Sequence, residues 1–145
     1  MFFMDIFDPG SVSLAFQVII LFLLIIGLPF VRGKGSEINA KRHGYSALVA
    51  VILHTILIFG VMIPSLRSNL SGIASFSLIE SIVVWSHMIL GILAEVLAVS
   101  LVASWLLGSP SKMTCYRTKA WMTPVFIIWA LSIVNGALLH ILGIL

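Results

Sequence analysis

The chain has 145 residues, of which 61% are hydrophobic and 9% charged, with a formal net charge of +3. A soluble domain carries about a quarter charged residues, so this composition, with a mean hydropathy of +1.21, excludes a disordered chain, a nucleic-acid binder and an ordinary cytosolic enzyme. The single cysteine, Cys115, excludes an internal disulfide framework and any multi-cysteine zinc or iron–sulfur site.

A helix needs roughly 20 mainly apolar residues to cross the hydrocarbon core. The first such run covers residues 12–31, with Gln17 as its only strongly polar side chain. Asp8, Pro9, Gly10 and Ser11 lead into it with turn and helix-start chemistry, and Arg32, Gly33, Lys34 and Gly35 end it. The leading segment carries Asp5 and Asp8 but no lysine or arginine, so a retained helix is expected rather than a cleaved signal peptide. The second run is 44–64, entered through Lys41, Arg42 and His43. The connection 65–80 mixes polar and apolar residues and has room for a short interfacial helix. The third run is 81–107 and the fourth 120–145, with Pro124 expected in its first turns, where a missing N–H costs least. The predicted fold is all-α: one integral membrane domain over 1–145, an antiparallel four-helix bundle.

The basic residues are unevenly placed. Arg32, Lys34, Lys41 and Arg42 follow the first run, Lys112, Arg117 and Lys119 follow the third, and Arg67 stands alone on the other side. This asymmetry predicts a multi-pass protein of the cell membrane with both termini outside. Of Trp85, Trp105, Trp121 and Trp129, three fall near span ends, as an aromatic belt requires.

Ionisable residues inside a span are costly and mark functional sites. Here they are His54, His87, Glu95 and His140, with Asn135 and Gln17 as further polar side chains. At about 1.5 Å per residue, His54 and Glu95 fall near the midplane, with Asn135 beside them. His87 and His140 fall at one level in the outer half. Below His87 one helix face reads Gly91, Ala94 and Ala98, and below His140 the matching face reads Gly136 and Ser132. Two facing histidines above such stripes suit a bis-histidine haem b, with Gly91 and Gly136 leaving room for the ring. The same stripes also suit tight helix packing with a structural polar network, and both readings stand at this point. Three imidazoles, with His54 joining the outer pair, would also serve copper or zinc. For His54 the further readings are a partnership with Glu95 or a place in the lining of a quinone pocket. Glu95 reads equally as a proton relay and as half of a register-fixing buried pair. His43, beside Arg42 and Lys41, reads as an interfacial residue in contact with lipid headgroups.

The segments KRH at Lys41–His43, WSHMILGIL at Trp85–Leu93 and YRTKAWMTP at Tyr116–Pro124 resemble a family of small four-helix membrane proteins of bacteria and archaea. That family includes a maturation factor for haem–copper cytochrome oxidase. The resemblance spans about the last hundred residues and matches His43 and His87 to family histidines. The chain departs from the family near Tyr116 and near Arg67, where histidines are usual, and carries His54 and His140 instead.

The function expected from these residues is that of a b-type cytochrome-like electron-transfer protein or subunit, with one haem between the third and fourth helices. The alternative is a non-catalytic accessory subunit or assembly factor of a larger respiratory or oxidoreductase complex. No nucleophile–base arrangement or phosphate loop indicates an independent enzyme. The expected partners are the lipid bilayer, other membrane subunits and, for electron transfer, a quinone.

Overall fold

A computed structural model of the chain describes residues 9–27, 37–73, 75–108 and 112–143. Among these residues there are helices and no strand. They are α1 (Pro9–Gly27), α2 (Glu37–Leu57), α3 (Ile63–Ile73), α4 (Leu78–Leu107) and α5 (Lys112–Ile141). Among the described residues, four stretches are long and apolar enough to cross a membrane: Gly10–Gly27, Glu37–Ser68, Leu78–Leu107 and Ala120–Ile141. The protein is a multi-pass membrane protein, as its composition requires.

The helices form an up-down bundle in which α1 packs on α2, α2 on α4, α4 on α5 and α5 back on α1, with the α4–α5 contact the most extensive. Ile20, Ala50, Val51, Ala94, Ala98, Val102, Val125, Trp129 and Ile133 make its core. Small residues recur in that list because, without a hydrophobic drive between helices in lipid, close backbone approach supplies the packing energy. The large side chains that face outward, such as Phe22, Ile56, Ile89 and Val134, meet the acyl chains. The ends of the bundle are called here the basic end, where Gly27, Lys41, Trp105 and Lys112 lie, and the distal end, where α1 begins and α5 finishes.

Three element boundaries differ from the sequence expectation, each for a local reason. The connection 65–80 holds a short helix, α3, which is continuous with α2 rather than set apart from it. α2 runs through a π-helical turn at Ile58–Met62 straight into α3, and the Ile63 N–H bonds back to the Ile58 carbonyl. Pro64 follows at once; its ring has no N–H to give and would crowd the carbonyl four residues earlier. The widened turn accommodates it. α4 begins at Leu78 rather than Ser81 because Ser77 and Glu80 form a capping box. The Glu80 backbone N–H donates to Ser77 Oγ at 3.3 Å, and the Ser77 N–H to Glu80 Oε2 at 2.7 Å. α5 begins at Lys112, so Pro124 is internal to the helix, not in its first turns. The missing N–H frees the Ala120 carbonyl one turn back.

Side chains also lock α1 to α2 at the basic end. Ser46 Oγ donates to the Leu23 carbonyl at 3.0 Å, and His43 Nδ1 lies 3.0 Å from the Gly27 carbonyl. A carbonyl only accepts, so His43 carries its proton on Nδ1. His43 is thus half-buried and tied to α1, while its neighbours Lys41 and Arg42 are exposed. Trp85 and Trp121 are 52% and 62% exposed, as in an aromatic belt, but Trp105 at 4% and Trp129 at 2% belong to the core.

Candidate functional site

His54 is 3% exposed on α2. Its Nδ1 lies 2.7 Å from Glu95 Oε2 on α4, and the Thr55 hydroxyl is in reach of both the second Glu95 oxygen and the Val51 carbonyl. The Trp129 ring covers the imidazole from α5, with ring centroids 4.8 Å apart at 52°. A buried carboxylate and imidazole that share a hydrogen bond avoid the penalty either would suffer alone. Thr55 was not legible as a partner; its only signal was adjacency to His54.

Beside this couple, in the distal half, is a cavity of about 160 Å³. Its walls are mostly apolar, with His54, His87, His140, Gln17, Ser13, Ser65 and Ser132 as the polar residues on it. The three intramembrane histidines therefore share one cavity. His87 Nδ1 donates to the Ser132 carbonyl at 2.9 Å, which leaves Nε2 as its free lone pair. Gln17 turns its amide N–H toward Ser13 Oγ at 3.2 Å. Gln17 Oε1 and His140 Nδ1 are buried and find no partner among the described residues.

The arrangement differs from the sequence expectation in register. His87 bonds to α5 at Ser132, so His140 stands two turns beyond that contact, on the same helix face, rather than level with His87. Asn135 is not beside His54 and Glu95: it donates to Ser86 Oγ at 3.2 Å, at the level of His87. Depth counted from span ends missed this because close packing of α4 on α5 sets the register. The small-residue stripes are the packing surface itself. A methyl group on Gly136 would lie 2.9 Å from His87 Cε1 and from Gln17 Oε1, and one on Gly91 would lie 3.3 Å from Ser132 Oγ. The volume at Gly136 is filled by the His87 ring, so the seam between α4 and α5 is closed at that point.

The donor chemistry of His87 suits an axial ligand, since a ligating histidine commonly gives its other N–H to a carbonyl. At Gly136 the His87 ring already occupies the volume that a haem ring laid against that glycine would need. Among the described residues no three of His, Cys, Asp and Glu gather as a metal-binding group. Of the residues that carry the family resemblance, His43 and His87 both point into the bundle, while the side chains of 112–119 lie outside the described ones. No family model matches the chain, and neither a curated protein nor a solved structure matches it.

Proposed function

We propose that the chain is the membrane-embedded subunit of a redox assembly and that its distal cavity binds a hydroxyl-bearing aromatic lipophile of the quinol class. The observation that carries this reading is an apolar cavity holding the buried, unpartnered Gln17 Oε1 and His140 Nδ1 next to the His54–Glu95 couple. An amide oxygen only accepts, and His140 Nδ1 accepts when its proton is on Nε2. A ligand that donates O–H groups completes both. With Nδ1 committed to Glu95, His54 keeps Nε2 as a base. A ring hydroxyl that gives its proton to Nε2 leaves an imidazolium whose charge Glu95 balances at contact distance.

The second reading is the bis-histidine haem b on His87 and His140, favoured by the His87–Ser132 bond and opposed by the seam closed at Gly136. One preparation separates the two. The detergent-purified protein is scanned oxidised and dithionite-reduced, then titrated with a redox-inert quinol analogue. The quinol reading expects no Soret band and saturable binding that weakens about fivefold to tenfold in Gln17→Leu, the loss of one hydrogen bond. Sharp α and β bands that vanish in His87→Ala would overturn it in favour of haem. A colourless protein that binds no analogue would leave the accessory-subunit role.

The orientation belongs to the same proposal. Seven of the 8 Lys and Arg lie at the basic end or in the connections there, which supports a cytoplasmic basic end and a distal cavity near the outer face of the cell membrane. Cys115, in the first turns of α5, should then react with a membrane-impermeant thiol reagent in inverted vesicles and not in intact cells.

A further inference from the structure

A second cavity, of about 90 Å³, lies in the basic-end half between α2, α4 and α5, with Leu24 of α1 also on its wall. Trp105 and Trp129 both line it. Both indole N–H groups are buried and find no acceptor among the described residues. Buried indole N–H groups normally have a partner, so two without one on a single cavity is a departure that asks for a cause. Packing explains the positions of the rings but not the orphaned donors. Trp105 presses on the backbone of Gly44 and meets Tyr45 edge-on at 5.3 Å; Trp129 covers His54. The third polar residue on the cavity, His43, has its Nδ1 committed to Gly27.

We infer that this cavity binds a neutral lipophile through carbonyl oxygens that accept hydrogen bonds from Trp105 and Trp129. The chemistry follows from the donors. An indole offers N–H and never accepts, so the missing group is an acceptor, and the apolar walls exclude a charged one. Water held there would have only the two indoles and His43 as polar neighbours on the lining, the low end of the two to four partners it needs, whereas an apolar ring also fills the walls. The cavity runs from Ala98 to Trp105 along α4, about 10 Å of helix rise. Side chains tilt toward the start of their own helix, and α4 and α5 are antiparallel, so the two indoles lean toward each other along the bundle axis. A compact ring with a carbonyl at each end, as in an oxidised quinone, has acceptors in that arrangement. The site is complementary to the distal cavity, where the orphaned atoms accept, and it does not depend on what fills that cavity.

Carbonyl oxygens reach a membrane protein from a free quinone or from the ester groups of the bilayer lipid, and the test separates these sources. The full chain, labelled with ¹⁵N at the indoles, is placed in ether-linked phospholipid bilayers, which contain no carbonyl. Its four indole signals are assigned through Trp→Phe variants. Addition of a decyl-substituted benzoquinone should move the Trp105 and Trp129 N–H signals downfield saturably and slow their exchange with water. The exposed Trp85 and Trp121 should not respond. Trp129→Phe should weaken the quinone about fivefold, one neutral hydrogen bond. Ala98→Leu, which keeps both indoles but fills the cavity, should abolish the response. Signals already downfield in ester-linked bilayers, and unmoved there by quinone, assign the same site to the lipid carbonyl. Indole signals that stay put in both bilayers, or that exchange with water as fast as Trp85, overturn the inference.

Discussion

Gly136 and Gly44 each leave a volume that a neighbouring ring occupies. At Gly136 the occupant is His87, whose ring position over α5 makes the bond to Ser132 possible; at Gly44 it is the Trp105 indole. Gly136→Ala should therefore cost about 1–3 kcal/mol, as overpacking does. Gly44→Ala should cost at least as much, because the indole is rigid and wedged between helices. Gly72, with nothing near its missing Cβ, is the control: its alanine variant should gain up to about 1 kcal/mol of helix propensity. Thermal unfolding in detergent micelles ranks the three, and equal midpoints would remove the close-approach argument. The His54–Glu95 couple makes a different kind of prediction. Removing one partner strands the other in the bilayer interior, at a cost of about 3–5 kcal/mol. The double variant His54→Leu/Glu95→Leu should be more stable than either single variant, so the cycle should show a coupling at least as large as either single loss, about 3–5 kcal/mol or more. Additive losses would mean that the two groups do not depend on each other.

At the level of elements, α4 owes its first turn to the Ser77–Glu80 capping box. Ser77→Ala should cost about 1 kcal/mol and show first as faster hydrogen exchange at the amides of Leu78, Ile79 and Glu80, while exchange in the middle of α4 stays unchanged. The spans themselves were legible in the sequence, because twenty-residue apolar runs have few structural alternatives. Their ends were less so. Ser77 and Glu80 read as loop residues until their mutual bonding is seen, and Pro124 read as a helix start because Lys112 to Lys119 are too polar to be counted in a span. The site divides in the same way. His54 and Glu95 could be brought together by depth alone, since both lie near the middle of their runs. The His87–Ser132 bond and the Asn135–Ser86 bond depend on the register of α4 against α5. That register is set by which small residue meets which bulky one, information held jointly by two helices. Trp105 shows the same limit. Near a helix end it counts as an interfacial tryptophan, and only Gly44 on another helix makes room for it inside.

Across the whole molecule, the two cavities are linked by one ring contact, that of His54 on the first with Trp129 on the second, tilted at 52°. His54 faces the distal cavity and Trp129 the basic-end cavity, while Glu95 fastens His54 to α4. This construction predicts how the halves of the bundle communicate. Gln17 and Trp105 lie at opposite ends with no shared partner, so Gln17→Leu and Trp105→Phe should act additively on unfolding free energy, within about 0.5 kcal/mol. Trp129 behaves differently because its ring touches His54. Trp129→Phe keeps an aromatic face on the imidazole and should leave the distal half nearly unaffected. Trp129→Leu removes that face, and His54 then loses its cover as well as a ring contact worth about 0.5–1.5 kcal/mol. The cycle of Trp129→Leu with His54→Leu should therefore show a coupling of that size, whereas Trp129→Phe with His54→Leu should show less. The measurement is four unfolding curves for each cycle in a single detergent. If Trp129→Leu and Gln17→Leu couple as strongly as Trp129→Leu and His54→Leu, the ring contact does not act locally and the two cavities respond as one.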